Sequence, residues 1–192
     1  MSAVLHAPIS PAGVAAFRVG DVVFISGVLY TPRDKAHDRM LADPHRPFSL
    51  QDACIYHSGP LVVKDGGTYR VFSAGPTTSA RMNVQTPAIV KQGVTAIIGK
   101  GGMSLDVARS LAGRCFYLAF TGGCAILAQE KIVEVLDVYY ADLGVTEVVW
   151  KLKVLNFGPL LVDSRGDSIH ETVRVRSRER LLHMIAERKR SL

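Results

Sequence analysis

Six strand-like runs, each closed off by Gly, Pro, Asn or Asp, constrain this chain more than any other feature: DVVFISGVLY, CIYHSGPLVV, YRVFSA, TAIIGK, CFYLAF and EVVWKLKVLNFGPLLVD. Runs this rich in Val, Ile, Tyr and Phe bury well as strands, and the turn-forming residues at their ends stop them continuing. Between several of them lie stretches with helical spacing. RMNVQTPAIVKQG ends on a glycine stop and carries Pro87 where a helix kinks or starts. EKIVEVLDVYYADLG places Ile132, Val133, Leu136 and Tyr140 at helical intervals before Gly144. Strands alternating with helices predict an α/β class with parallel strands in the middle of the chain. PLLVDSRGDSIHETV reads as a hairpin around DSRGD, which makes the expected sheet mixed. No internal repeat, low-complexity tract or linker divides the sequence, so residues 1–192 are expected to form one domain.

With 192 residues and 48% hydrophobic side chains, the chain can bury one substantial core. No run reaches the roughly 18 apolar residues needed to span a bilayer, and MSAVLHAPISPAGVAAF has neither the charged start nor the apolar middle of a secretory leader. A cytoplasmic location without membrane contact is expected. Cys54, Cys115 and Cys124 show no C-x-x-C spacing, so buried thiols are expected rather than a disulfide framework or a metal site. The net charge of +6 is concentrated in the tail, where seven Lys or Arg face two Glu between Arg174 and Leu192. VRVRSRERLLHMIAERKRSL reads as a basic terminal helix over about 174–192, with Leu181, Leu182 and Ile185 packing on one face and the arginines outside. A solvated helix is the first reading of this tail, docking on an acidic partner the second and an RNA-binding arm the third. The rest of the chain is nearly neutral, which argues against nucleic acid as a partner.

The corners that follow the strands carry the chemistry. GKGGMS, residues 99–104, offers backbone N–H groups to an anion. The spacing from Gly93 to Gly99 and the glycine after Lys100 break the phosphate-loop pattern, leaving Lys100 as a lysine at a strand end before a helix at Ser104. Ligands of open α/β sheets gather at such carboxyl ends. In TPRDKAHDRM, residues 31–40, Asp34 is placed to cap a helix running through Arg39 and Met40, and Arg33 suits bidentate carboxylate binding. His37 is either an acid–base group or an ordinary helix residue. In SAGPTTSARM, residues 73–82, Thr77, Thr78 and Ser79 can cap free N–H groups, and Arg81 lies one turn beyond Thr77 on the same face. Capping needs one hydroxyl and no arginine, so the stretch also fits an anion-binding corner. TGGCAIL, residues 121–127, is a third Gly-rich strand-to-helix junction, and no G-x-S-x-G marks a serine hydrolase.

Taken in order, TPRDKAH, YHSGP, GPTTSARM, GKGGM, TGGCAIL and NFGPLLVDSRGD resemble the C-terminal domain of class I fumarases and the beta subunits of two-subunit fumarate hydratases and L-tartrate dehydratases. The resemblance runs from about Asp21 to Asp167. It implies a swivelling three-layer β/β/α domain with a mixed sheet, acting as the beta subunit of an iron–sulfur hydro-lyase that hydrates fumarate to malate reversibly. L-tartrate dehydration is the runner-up, and a non-enzymatic binding module using the basic tail is the rival from another class. By the same resemblance Thr77 falls on the proposed catalytic base, Arg33 and Arg81 on the arginines that bind the substrate carboxylates, and Lys100 on the lysine that joins them. The glycine usual before the first arginine is Pro32 here, which stiffens that loop. No cofactor is expected on this chain. A four-iron four-sulfur cluster is expected on a partner alpha subunit, in a hetero-oligomer that takes a small dicarboxylate. Three cations suit that substrate, because removing a proton beside a carboxylate builds negative charge where it must be stabilised. A threonine is a weak base unless neighbours stabilise its alkoxide, which gives Arg81, Lys100 or a helix N-terminus that task.

Overall fold

A computed structural model of the chain describes residues 3–190. Five strands make the framework of the sheet: β2 (Val22–Tyr30), β3 (Cys54–Tyr56), β6 (Ala96–Gly99), β7 (Phe116–Ala119) and the sixteen-residue β9 (Val149–Ser164). β1 (Ala3–Ala7) and β8 (Ile132–Tyr139) extend it to seven strands in the order β1-β2-β3-β6-β7-β9-β8. β1, β2, β3, β6 and β7 run parallel, while β9 is antiparallel to β7, β8 and β2. The sheet is therefore mixed, as expected. Because β9 pairs with both β7 and β2, the sheet curls back on itself. A separate antiparallel ribbon, β4 (Leu61–Asp65) with β5 (Thr68–Ser73), lies outside it.

Side chains alternate across a strand, and here the alternation feeds two cores. Cys54, Tyr56, Ala96, Ile98, Phe116 and Leu118 point inward to meet Ile25, Leu29, Phe157 and Leu160 across the curl. Ile55, Ile97 and Tyr117 point the other way, against Met40 of α2 (Asp34–Ala42), Ile89 and Val90 of α3 (Thr86–Lys91) and Val107 of α4 (Leu105–Ser110). Sheet meets sheet on one side and helix on the other, the β/β/α layering. Burying each large apolar side chain contributes about 1.5–3 kcal/mol, so strands of three or four residues suffice when both faces are covered. α1 (Pro11–Ala15) and α5 (Ala125–Glu130) add Val14 and Ala128 to the inner core.

Several expectations need correction. Within EKIVEVLDVYYADLG, Ile132–Tyr139 is strand β8 and not a helix, and Ala141–Leu143 forms a 3-10 turn. Its apolar residues do fall at helical intervals, but Ile132, Val133, Val135 and Val138 are β-branched, and β9 offers an edge to pair with. PLLVDSRGDSIHETV is no hairpin: β9 ends at Ser164, and the chain turns into α6 (Ile169–Arg190), capped by the Ser168 hydroxyl, which accepts from the Glu171 N–H at 3.2 Å. CIYHSGPLVV splits between β3 and β4, in different sheets, and β1 was not foreseen. Pro87 does mark the true start of α3, preceded by a separate 3-10 turn at Ser79–Met82. The basic helix begins before 174, and Leu181, Leu182 and Ile185 are exposed rather than packed. Basic and apolar residues alternate around α6, so no single face exists to bury. Residues 191–192 of the expected tail lie outside the described residues.

Candidate active site

The corner at Thr77 is tied to the end of β6 by backbone hydrogen bonds. The Thr77 N–H donates to the His57 carbonyl at 2.7 Å, and the His57 N–H donates in turn to Ile98 at 2.8 Å. The Lys100 N–H donates to the Thr77 carbonyl at 3.2 Å, and the Ser79 N–H returns to the Lys100 carbonyl at 3.1 Å. Thr78 and Lys100 thus form a parallel bridge that continues the sheet past Gly99. Pro76 and Ser58 make a second bridge, and the Ser58 hydroxyl donates to the Gly75 carbonyl at 2.8 Å. YHSGP and GPTTS are halves of one small ladder.

The hydroxyls of this corner are not caps. Thr78 stands at the N-terminus of the 3-10 turn without capping it, and Ser79 Oγ shares a 2.8 Å hydrogen bond with His57 Nδ1. Thr77 is half-buried, and among the described residues its hydroxyl has no hydrogen-bond partner. Lys100, also half-buried, makes no ion pair among the described residues. Its stem runs over Gly122, with Cδ at 3.6 Å from where a Cβ would sit. Lys100, Thr78, Thr121, Gly122 and His170 line a cleft of about 470 Å³.

Arg33 and Arg81 are brought to the start of α2, and each is held by a carboxylate of this chain. Arg81 forks onto Asp34, Nε to Oδ1 at 3.1 Å and Nη2 to Oδ2 at 2.5 Å. Asp34 therefore orients Arg81 instead of capping α2. The cap comes from Glu147, whose Oε2 accepts from the Lys35 N–H at 3.0 Å while Oε1 sits 3.5 Å from Arg33 Nε. Gly59 of YHSGP touches the same arginine: a Cβ there would lie 3.0 Å from its Nη1.

His37 is wholly buried on α2, its Nδ1–H donating to the Arg33 carbonyl at 2.9 Å. Its ring lies edge-on to that of His57, also wholly buried, with centroids 5.1 Å apart. Burial lowers the pKa of both, and for His57 the neighbouring His37 lowers it further. These imidazoles support the corner from behind. The sequence reading missed His57 and Ser79 as a pair, Glu147, and the Asp163–His170 contact. His57 did lie in a quoted motif, whereas Glu147 had no local signal.

The thiols do not fit cluster ligation. Cys54, Cys115 and Cys124 are free and buried, burial pushing the first up to about 12 and raising the others. Among the described residues no group of three or more His, Cys, Asp or Glu is placed to hold a metal ion. Nor is any helix among them long and apolar enough to cross a membrane.

The family model described as Fumarase C-terminus matches residues 2–173. The chain belongs to the fumarase C-terminus family. A protein of Methanocaldococcus jannaschii named as a candidate L(+)-tartrate dehydratase beta subunit is 41% identical over 181 residues, covering 90% of this chain and 93% of its own. The L(+)-tartrate dehydratase beta subunit of Escherichia coli is 36% identical over 174 residues, 88% of this chain and 87% of its own. A protein of Geobacillus stearothermophilus named as a candidate class I fumarate hydratase is 38% identical over 181 residues, covering 92% of this chain but 35% of that longer protein. The family match takes in every strand and corner described above and stops in the second turn of α6. Most of the basic helix lies beyond the family match.

Proposed function

We propose that this chain is the beta subunit of an iron–sulfur hydro-lyase that adds or removes water across a four-carbon dicarboxylate, completing its site against a cluster-bearing alpha subunit. The observation that supports this reading is the ladder that joins the Thr77 backbone to that of Lys100, with the Thr77 hydroxyl and the Lys100 ammonium both left without partners among the described residues. In the reading, Thr77 acts as an alkoxide stabilised by the neighbouring cations, its Oγ takes the proton from the carbon next to a carboxylate and becomes the hydroxyl, and the Lys100 ammonium stabilises the charge that develops on the substrate. Arg33 and Arg81 bind carboxylates, and Glu147 and Asp34 hold their forks oriented. A cluster on the partner would supply the Lewis acid for the hydroxyl that leaves.

Fumarate hydration to malate is one substrate reading, and L-tartrate dehydration is the other. The second is supported by the near full-length similarity to tartrate dehydratase beta subunits, against a fumarate hydratase of which this chain matches about a third. Co-expression with the adjoining cysteine-containing subunit under anaerobic conditions, followed by assays on L-malate and L-tartrate, tests the proposal. Activity that appears only in the assembled complex is expected. A cluster-loaded complex inert on both substrates overturns the reading, and salt-dependent RNA binding lost on removing residues 174–192 would favour the binding-module rival.

A further inference from the structure

Asp163 is a wholly buried carboxylate near the end of β9, and it spends its lone pairs on the turn into α6. It accepts from Ser168 Oγ at 3.3 Å, from the His170 N–H at 3.1 Å and from His170 Nδ1 at 2.7 Å. A carboxylate here can only accept, so Nδ1–H donates and Nε2 is the free nitrogen of the ring. That ring is 47% exposed and lines the cleft of Lys100, Thr78 and Thr121. Its place is made by Gly102 in the loop after Lys100, where a Cβ would fall 2.5 Å from the His170 Cβ and 2.6 Å from its Cγ. A buried acceptor and a glycine that clears its seat together fix the orientation of the ring, which lines this cleft and the one beside Ser104 and Leu105. Among the described residues Nε2 has no hydrogen-bond partner.

We infer that His170 is a specificity-determining residue, whose Nε2 receives the second hydroxyl of an L-tartrate-type substrate in the Lys100 cleft. The inference rests on the proposed hydro-lyase reading. Dehydration of L-tartrate breaks a C–O bond on one carbon and a C–H bond on its neighbour, and the neighbour keeps its own hydroxyl. In the proposed reading that hydroxyl sits on the carbon whose proton goes to Thr77, whose backbone is bonded to that of Lys100, and Lys100 shares its cleft with His170. L-malate has no hydroxyl there. The cationic side chains at the site can donate to a hydroxyl but not accept from one, whereas an imidazole nitrogen can do either.

Two conservative variants separate the roles of the two ring nitrogens. His170→Asn keeps an amide donor where Nδ1 meets Asp163 and removes the Nε2 end. His170→Gln places its amide near Nε2 instead. In the assembled complex, His170→Asn is expected to raise KM for L-tartrate about tenfold more than KM for L-malate, with His170→Gln recovering part of the preference. Calorimetric titration of the same complexes with both acids reads affinity independently of turnover. Equal effects on the two acids, or none, overturn the role of His170. A complex that binds L-tartrate in a His170-dependent way but turns over neither acid overturns the hydro-lyase reading while upholding the site. A complex that binds neither acid overturns both.

Discussion

Gly99→Ala tests how tightly the corner is built. Gly99 does not have the positive φ that would strain an alanine, so the variant acts through space alone. Its new Cβ would lie 1.9 Å from Ser79 Oγ and 3.3 Å from His57 Nδ1, where ordinary contact begins near 3.4 Å. Ser79 must therefore retreat by about 1.5 Å, breaking its 2.8 Å bond to His57. Overpacking of this kind costs about 1–3 kcal/mol, and the lost buried hydrogen bond adds about 1 kcal/mol. A total of about 2–4 kcal/mol lowers Tm by roughly 5–15 °C in a chain of this size. Ser79 is also joined to Lys100, so the shift reaches Thr77 and Lys100, and a misplacement near 1 Å can reduce turnover about a hundredfold. Thermal unfolding of the chain and kcat of the assembled complex are the measurements. Adding Ser79→Gly should recover part of the lost Tm by emptying the space, a coupling that a double-mutant cycle measures. An unchanged Tm and kcat in Gly99→Ala would refute this packing argument.

Three other outcomes are expected. Because burial lowers the pKa of His37 and His57, the unfolded chain takes up protons near pH 6.5 that the folded chain refuses, so their contribution is complete above that pH and lost below it. Denaturant unfolding between about pH 7.5 and 5 should show stability falling by up to about 1.4 kcal/mol per pH unit for each ring, and His57→Asn should flatten the slope. Arg81→Lys loses the fork that now meets Asp34, so steady-state assays of the complex should show KM rising, with kcat falling as well where the substrate is misplaced. Neutralising Arg176, Arg178 and Arg180 on the exposed helix should weaken association with the alpha subunit, most at low salt, in sedimentation runs across ionic strengths.

The parallel heart of the fold was legible because its signals are local. Short runs such as AIIG and FYLA are apolar throughout, as strands covered on both faces must be, and glycines and Ser104 mark the ends. β8 was misread because helical spacing and β-branched composition conflict there, and its long-range partner β9 settled the matter. The corners could be found, but their wiring could not. Glu147 reaches α2 from more than a hundred residues away in sequence, and Asp163 orients His170 only because a turn replaced the expected hairpin. Asp34 shows the same limit: a residue suited to capping is drawn into a fork with Arg81, since another carboxylate already supplies the cap.

In the proposed function GPTTS presents Thr77 as a working hydroxyl rather than as a cap. Thr77→Val removes that hydroxyl with nearly the same shape and leaves every backbone bond of the ladder in place. Steady-state kinetics of the assembled, cluster-loaded complex should then show kcat reduced by roughly a hundredfold or more, KM little changed and Tm within a few degrees. A Thr77→Val complex with near-normal kcat would contradict the account and return the corner to a structural turn.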